Sequence, residues 1–213
     1  TLAPVPHDPE NSPLLSVVIP CFNEADMLAE LEQRVVSACE KVAPRSYEIV
    51  LVNDGSRDRS SSMISEMVAR NDAIVGVELA RNHGHQIALT AGLSLARGRR
   101  ILVIDADLQD PPELLPAMMA VMDGGANVVY GRRTGRPRDS KFKIGAAHVF
   151  YRLFDKLAEI EMPLDAGDFR LMDRRVLDTL LSMPEQYRFL RGMIAWVGLI
   201  QVVLVLLLVA GCG

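Results

Sequence analysis

Short apolar runs alternate with amphipathic segments along most of the chain, from residue 14 onward. The apolar runs are rich in Val, Ile and Leu, which predicts buried strands, whereas the longer segments between them repeat apolar residues at helical spacing. This alternation is typical of βαβ units and predicts an α/β fold, with a mostly parallel sheet flanked by helices. The predicted strands are residues 15–19, 48–52, 74–79, 101–104 and 127–130. The predicted helices are residues 25–42, 58–70, 86–96, 112–122, 142–160 and 174–182.

Both ends of the chain depart from this pattern. Residues 1–13 have neither a basic stretch nor an apolar run, so we interpret them as a disordered leader and not as a secretory signal. Residues 193–213 form an apolar tail that carries no charge and is barely long enough to span a bilayer, and a buried or truncated strand is an equal alternative. If the tail spans a membrane, Arg188 and Arg191 just before it place the preceding domain, residues 14–192, in the cytoplasm.

Composition and charge narrow the classes of function. The 213 residues are 49% hydrophobic and carry a net charge of −4, so nucleic acid is not an expected partner. Three cysteines without a close pair argue against a disulfide framework or a structural zinc site, and they indicate a cytosolic setting. Basic side chains are nonetheless concentrated between Arg132 and Lys143, which indicates either a solvated loop or a site for phosphates or lipid headgroups.

Three side chains with oxygen ligands follow the fourth predicted strand, namely Asp105, Asp107 and Gln109. On an extended backbone, side chains two residues apart point the same way, so these three are predicted to converge on one hard cation, Mg²⁺ or Mn²⁺. Open α/β sheets bind ligands at the carboxyl ends of their strands, and a cation held there by few protein ligands keeps positions open for substrate phosphates. A nucleotide-diphosphate substrate is therefore the first candidate.

Two other predicted strands end in polar loops at the same edge of the sheet, and these loops carry Glu24 and Asp54. Carboxylates at strand ends are suited to accept hydrogen bonds from a base edge or from ribose hydroxyls. Either loop by itself would be interpreted as a turn or a helix cap, and their coincidence with Asp105 and Asp107 favours a site. His83 and His85 are interpreted as part of a loop that leads into a helix, and not as metal ligands.

Six short motifs occur in a fixed order along residues 14–197. They are SVVIP followed by NE, VNDGS, RNHGHQ, DADLQDPP, GDFRL and RFLRG, which begin at residues 16, 52, 81, 105, 167 and 188. Together they resemble the family 2 glycosyltransferases of GT-A fold, whose sheet is Rossmann-like. Within that family they are most similar to the polyprenyl-phosphate glycosyltransferases, a subgroup that includes dolichol-phosphate mannose synthase and the undecaprenyl-phosphate sugar transferases.

The resemblance implies a metal-dependent, inverting transfer of a sugar from a nucleotide-diphosphate sugar to an undecaprenyl or dolichyl phosphate at the cytoplasmic face of the membrane. It implies Mg²⁺ or Mn²⁺ as the cofactor and catalytic roles for Asp107 and Asp168, the latter near the sugar and the acceptor. The residues that match nucleotide-binding positions are Pro20, Phe22, Glu24, Val52, Asp54 and Asp105. The matching metal ligands are Asp105, Asp107 and Gln109, and the matching phosphate-binding or acceptor-binding residues are Arg132, Arg188 and Arg191.

The chemistry of the acceptor bears on the role of Asp168. A phosphate monoester is largely dianionic at neutral pH, because its second pKa lies near about 6, so it hardly needs a general base. Asp168 is therefore predicted to orient the sugar or the acceptor more than to remove a proton, which a sugar hydroxyl would require. Two alternatives remain open at this stage: a family 2 transferase that acts on a polysaccharide or sugar hydroxyl, and an inactive, truncated binding or scaffold remnant.

Overall fold

The computed structural model describes residues 11–133, 168–184, 192–194 and 201–206. The strands, in chain order, are β1 (Leu15–Cys21), β2 (Tyr47–Asn53), β3 (Ile74–Glu78), β4 (Arg100–Val103), β5 (Val128–Arg133), β6 (Arg170–Asp173) and β7 (Gln201–Leu206). The helices are α1 (Ala25–Val42), α2 (Ser60–Arg70), α3 (His85–Leu95), α4 (Leu115–Asp123) and α5 (Arg174–Ser182). A single turn of 3-10 helix, Pro112–Leu114, precedes α4.

Within these residues, the strands form one seven-stranded sheet in the order β3-β2-β1-β4-β6-β5-β7. Strands β1 to β4 are parallel to one another, β6 is antiparallel to both β4 and β5, and β7 is parallel to β5. The predicted α/β fold with a mostly parallel sheet is confirmed. Because β6 runs in the opposite direction, its first residue, Arg170, lies beside Val103 at the end of β4. The segment just before β6 thus reaches the edge where the parallel strands end.

The predicted elements agree closely with the described ones. Helices α1 and α5 have the predicted bounds, and the other predicted helices and strands within the described residues differ from the observed elements by a few residues. Strand β6 was not predicted, and β7 lies within the apolar tail, where it pairs with β5. The predicted helix at residues 142–160 and the first ten residues of the predicted leader, which was placed at residues 1–13, lie outside the described residues. No helix among the described residues is both long and apolar enough to cross a membrane.

The central strands are buried on both faces, which explains their continuous apolar runs. On one face Val17 and Ile49 join a core with α1, α2 and α4, and on the other face Val18 and Val50 join a core with α3 and α5. Helix α3 comes very close to the sheet at Gly92, where a Cβ would lie 2.5 Å from Val18 Cγ1. This close approach sets the distance between α3 and the sheet.

A buried polar network holds the carboxyl-terminal end of α3. Glu48 of β2 is 3% exposed and accepts hydrogen bonds from Ser16 Oγ at 2.6 Å and from Arg97 N and Nε at 2.6 and 2.8 Å. Ser16 Oγ in turn accepts a hydrogen bond from Gly98 N at 2.7 Å. Because these partners satisfy the buried carboxylate, the network ties the loop after α3 to β1 and β2.

Candidate active site

A cleft of about 260 Å³ lies at the edge of the sheet where the parallel strands end. Its walls come from the end of β1, from the segments that follow β1, β2, β3 and β4, and from the start of α3. The lining residues are Pro20, Cys21, Phe22, Glu24, Asp54, Asn82, His85, Ala88, Asp105, Ala106 and Asp107. This is the position at which open α/β sheets bind ligands.

Most of the side chains predicted to line a nucleotide do line this cleft. Pro20, Glu24, Asp54 and Asp105 form part of its wall, and so does Phe22, a residue that is 41% exposed. The predicted residue that lies elsewhere is Val52, whose side chain is fully buried in the core between the sheet and α3. The structure therefore brings together five of the six predicted residues, and their contact with a nucleotide stays a prediction.

The backbone after β4 does not stay extended. Ala106 and Asp107 form a turn, and Leu108 has a φ of 54°, in the left-handed region. The turn is stabilised by Asp107, whose Oδ1 accepts a hydrogen bond from Gln109 N at 3.0 Å. The extended run predicted from Asp105 to Gln109 is therefore wrong, because the aspartate side chain bonds to its own backbone. Asp105 and Asp107 still line the cleft while Gln109 is exposed, and their joint role as metal ligands remains a prediction.

A different set of three side chains converges at this edge. His85 Nε2 lies 3.6 Å from Asp105 Oδ1 and 3.2 Å from Asp168 Oδ2, and ligand atoms of all three residues lie within 4.8 Å of one another. Among the described residues, none donates a hydrogen bond to the buried Oδ1 of Asp105. The sequence analysis expected His85 in a loop that leads into a helix, and it does begin α3, but its approach to Asp105 and Asp168 was not predicted. Its position as the first residue of a helix after a polar glycine loop was the available signal.

A buried arginine holds one carboxylate oxygen of Asp168. Arg170 is 0% exposed, its Nη2 pairs with Asp168 Oδ1, and its Nε donates to the main-chain oxygen of Asp168 at 3.1 Å. The guanidinium also lies over the ring of Tyr130, at 5.8 Å from Cζ to the ring centroid. Asp168 is thus held by Arg170 on one oxygen and faces His85 with the other. Sequence reasoning did not assign Arg170 to the site, although a charged residue next to an apolar run was the signal.

The loops after β2 and β3 pack tightly against each other beside the cleft. Asp54 accepts hydrogen bonds from His83 N at 2.7 Å and from Gly84 N at 2.9 Å. Gly55 has a φ of +66°, and a Cβ there would lie 2.4 Å from the carbonyl carbon of Arg81. Only glycine fits this close approach, which explains the Asn-Asp-Gly-Ser sequence in structural terms.

Comparison with known proteins assigns the family. Residues 16–181 match the family described as glycosyl transferase family 2. The chain belongs to this family. The glycosyltransferase YkcC of Bacillus subtilis (strain 168), itself uncharacterized, is 43% identical over 186 residues, which are 87% of this chain and 57% of YkcC. The bactoprenol glucosyl transferase of Shigella phage SfX is 35% identical over 184 residues, which are 86% of this chain and 60% of that protein. The chain thus spans less than two thirds of the length of these relatives.

Solved glycosyltransferase structures share the fold of this family 2 chain. The mannosyltransferase PcManGT from Pyrobaculum calidifontis, in complex with GDP-Man and Mn²⁺, has a TM-score of 0.62 at 23% identity over 97% of this chain and 60% of that one. S. aureus TarS 1–349, in complex with UDP-GlcNAc, has a TM-score of 0.61 at 20% identity over 89% of this chain and 55% of that one. At these identities the likeness shows the fold.

The acids of this family 2 site repel one another on the side of β1 and β4. Burial, then the charges of Asp107, Asp58 and Asp105, raise the pKa of Glu24 above its ordinary value. Burial also raises the pKa of Asp105, His85 opposes that rise, and the neighbouring carboxylates add to it. A cation would relieve the part of each rise that comes from neighbouring carboxylates, so the mutual repulsion on this side of the cleft favours a cation.

Three arginines were predicted to bind phosphates or the acceptor, and the structure describes only one of them. Arg132 lies in β5, where it pairs with Val205 of β7. Arg188 and Arg191 lie outside the described residues. The predicted contacts of these three arginines with phosphates or acceptor therefore stay predictions.

Proposed function

We propose that this family 2 chain carries the catalytic domain of an inverting, metal-dependent glycosyltransferase of GT-A fold. It moves a sugar from a nucleotide-diphosphate sugar to a polyprenyl phosphate at the cytoplasmic face of the membrane. The observation that carries the proposal is the convergence of Asp105, Asp168 and His85 at the cleft that Asp107 also lines. The identity of 35% to a bactoprenol glucosyl transferase supports a polyprenyl phosphate as the acceptor class.

The donor occupies the wall formed at the ends of β1, β2, β3 and β4. The exposed ring of Phe22 offers a stacking surface, and the polar side chains of Glu24 and Asn82 offer hydrogen bonds to a nucleoside. The position of these groups matches the general rule for ligands in open α/β sheets. Base and sugar depend on the shape of the surrounding loops, so the proposal names the class of donor and leaves the base and the sugar to experiment.

The residues at the cleft fit a divalent cation. The buried Oδ1 of Asp105 receives no hydrogen bond from the described residues, and the raised pKa of Asp105 reflects burial and neighbouring negative charge. Carboxylate oxygens are the ligands that Mg²⁺ and Mn²⁺ prefer. Asp105 and Asp107 would hold the ion. A bound ion there supplies positive charge that stabilises a leaving diphosphate.

Asp168 serves to orient the sugar or the acceptor. Its Oδ1 is paired with the buried guanidinium of Arg170, and its Oδ2 faces His85 Nε2 at 3.2 Å. The pair with Arg170 fixes the orientation of this carboxylate, which suits it to accept hydrogen bonds from a bound sugar or acceptor. That arrangement agrees with a phosphate acceptor, which is already ionised at neutral pH.

The test is a panel of nucleotide-diphosphate sugars with Mg²⁺ or Mn²⁺ and a short polyprenyl phosphate, following the released nucleoside diphosphate. Two matched acceptors serve as controls: the same polyprenol without its phosphate, and a soluble sugar. We expect release with at least one donor that depends on both the metal and the lipid phosphate. Release that requires the sugar acceptor would support the polysaccharide or sugar-hydroxyl alternative. An absence of release with every pair, in the full-length protein, would reject a catalytic role.

A further inference from the structure

Three consecutive main-chain amides in the loop after β1 donate hydrogen bonds to side chains of the segment after β2. Each amide has a different acceptor, and the pairs are Asn23 N with Ser56 Oγ at 2.9 Å, Glu24 N with Ser60 Oγ at 3.0 Å, and Ala25 N with Asp58 Oδ2 at 3.0 Å. A fourth bond runs in the other direction, from Arg57 N to Asn23 Oδ1 at 2.8 Å. The two segments are therefore joined by four hydrogen bonds that depend on side chains.

Asp58 joins the first residues of two helices. Its Oδ2 accepts the bond from Ala25 N, where α1 begins, and its Oδ1 accepts a bond from Ser60 N at 2.9 Å, where α2 begins. The first N–H groups of a helix have no acceptor within the helix, and a negative charge near them is also favoured by the helix dipole. The carboxylate of Asp58 thus fixes where α1 begins relative to α2.

The segment held in this way carries two side chains of the cleft wall. Phe22 and Glu24 both line the cleft, and Asn23 lies between them in the chain. Asn23 has a φ of 57°, in the left-handed region, which is uncommon for a residue with a side chain and persists where surrounding contacts hold it. Glu24 is the N-cap of α1, yet its own side chain does not cap the helix. The bonds from the segment after β2 therefore hold this turn in place.

We infer that Asp58, together with Ser60, is a positioning residue for the donor side of the cleft. Neither residue is among those that line the cleft. They act through the main chain of residues 23–25 and keep Phe22 and Glu24 in place before a donor arrives. Such preorganisation favours binding, because less of the protein has to be ordered when the ligand binds. The inference rests on the proposed function, since the ligand is a nucleotide-diphosphate donor.

Loss of this positioning should affect donor binding and not the chemical step. Phe22 and Glu24 belong to the wall proposed to hold the nucleoside, whereas Asp107 and Asp168 are proposed to act at the leaving group and at the sugar or acceptor. Contacts with a part of the substrate that does not react are made equally in the ground state and in the transition state. Their loss raises KM and leaves kcat nearly unchanged.

Two variants remove different bonds of this contact. Asp58→Ala removes both oxygens of the carboxylate, so Ala25 N and Ser60 N lose their acceptor. Ser60→Ala removes only the acceptor of Glu24 N, and because Ser60 is 0% exposed, the lost bond leaves an amide without its buried partner.

Each variant has a matched control. Asp173→Ala also removes an aspartate that caps a helix, because Asp173 Oδ1 accepts a hydrogen bond from Val176 N at 2.9 Å at the start of α5. Asp173 is the last residue of β6, and Arg170 at the other end of that strand lies at the cleft edge, so Asp173 is remote from the donor side. Ser62→Ala removes a serine of α2 whose Oγ donates to Arg59 O at 2.9 Å, at the start of its own helix.

Four measurements on the full-length protein test the inference. Hydrogen–deuterium exchange, followed by mass spectrometry of peptides that cover residues 22–28, reports how firmly the amides of residues 23–25 are held, and it needs no substrate. The affinities for UDP, GDP, CDP and ADP with Mg²⁺ report binding on the donor side. The KM for the donor and the kcat of transfer separate binding from chemistry. Urea denaturation gives the free energy of unfolding, so that binding can be compared between variants of similar stability.

We expect exchange at residues 23–25 to become at least about tenfold faster in Asp58→Ala and Ser60→Ala, because the amides lose their acceptors. The affinity for the nucleoside diphosphate that binds most tightly should fall by about three- to thirtyfold, since only part of the population then has the binding-competent loop. KM should rise by a similar factor, while kcat stays within about threefold of the wild type. Asp173→Ala should lower stability without changing either exchange at these amides or affinity, and Ser62→Ala should change none of these quantities.

Three results would overturn the inference. Unchanged exchange in both variants would show that the side chains do not hold the segment. Faster exchange with unchanged nucleotide affinity would show that the donor does not need the segment held. An equal loss of affinity in Asp173→Ala would assign the effect to stability alone. If Asp58→Ala does not fold, Ser60→Ala decides by the same criteria.

Failure of the inference can be distinguished from failure of the proposed function. If the wild-type protein binds none of the four nucleotides, the proposed function is rejected, and the donor role of Asp58 and Ser60 is rejected with it. If the wild type binds a nucleotide and transfers a sugar while both variants bind as tightly as the wild type, only the positioning role is rejected.

Discussion

The two sides of the cleft carry the same kind of acid but differ in how its charge is balanced. On the side of β1 and β4, Glu24, Asp105 and Asp107 lie near one another, and burial together with mutual repulsion raises the pKa of Glu24 and Asp105. On the side of β6, the carboxylate of Asp168 is paired with the buried guanidinium of Arg170. The side of β1 and β4 therefore has excess negative charge, whereas the side of β6 already contains a cation, the guanidinium of Arg170.

Because their charges are balanced differently, the acids on the two sides of the cleft are suited to different roles. Excess negative charge favours the binding of a divalent ion, and Asp105 and Asp107 would hold that ion, which would supply positive charge for a diphosphate. A carboxylate that is already paired gains little from an added cation, but its orientation is well defined. The first side is therefore suited to hold the leaving group, and the second side is suited to orient the sugar or the acceptor.

Replacement of Arg170, the cation that pairs with Asp168, should have the largest effect, and the effect is on stability. Arg170→Met leaves the buried carboxylate of Asp168 unpaired, and we expect it to lower the free energy of unfolding by about 3–5 kcal/mol. Urea denaturation measures this change. Arg175→Met is the control, since the side chain of Arg175 is 75% exposed and its pair with Asp173 should contribute no more than about 1 kcal/mol. The double variant Arg170→Met with Asp168→Asn should cost less than the sum of the two single variants. Equal effects of Arg170→Met and Arg175→Met would contradict the comparison.

The next largest effect is expected on the rate of transfer, when Asp107 is replaced on the side with excess negative charge. Asp107→Asn removes a predicted metal ligand and should lower the rate of transfer by about 10²- to 10³-fold, the usual cost of losing one stabilising group for the leaving charge. Asp123→Asn is the control, because Asp123 is an exposed acid that pairs with Arg100 away from the cleft. A rate for Asp107→Asn close to that of the control would mean that this side does not hold the leaving group.

The smallest expected effect is a dependence of stability on pH. The folded-state pKa values of Glu24 and Asp105 are raised above their ordinary values of 4.5 and 3.8, so the folded protein binds more protons than the unfolded chain as these groups titrate. Their contribution to stability is complete below the ordinary values and is lost as the pH rises through the folded-state values. Glu24→Gln should therefore become more stable relative to the wild type as the pH rises.

Urea denaturation at several pH values between about 4 and 7 checks this prediction across the range in which carboxyl groups titrate. Glu66→Gln on the exposed surface of α2 is the control, and its stability relative to the wild type should not change in the same way. A Glu24→Gln variant that loses stability as the pH rises would show that Glu24 is stabilised in its charged form.

The features that depend on local sequence pattern were predicted correctly. The alternation of apolar runs and amphipathic segments predicted α1 and the parallel strands, and the rule for strand ends placed Glu24, Asp54 and Asp105 at one cleft. These predictions succeed because periodicity and turn residues act over a few positions.

The features that the sequence did not predict depend on contacts between distant segments or on a competing local bond. Strand β6 forms because it inserts between β4 and β5, and the pairing of Val103 with Arg170 cannot be read from either segment. The convergence of His85 with Asp168 has the same origin. The turn after Asp105 is a local exception, since the Asp107 side chain bonds to Gln109 N and ends the extended backbone.

The binding of Mn²⁺ to the full-length protein with a nucleoside diphosphate, measured by electron paramagnetic resonance, tests the charge comparison most directly. Asp107→Asn should weaken the affinity by at least about tenfold, because it removes a carboxylate from the side with excess charge, whereas Asp168→Asn should leave it nearly unchanged. The opposite result, with Asp168→Asn weakening Mn²⁺ binding and Asp107→Asn leaving it intact, would place the ion among His85, Asp105 and Asp168 and would contradict the account.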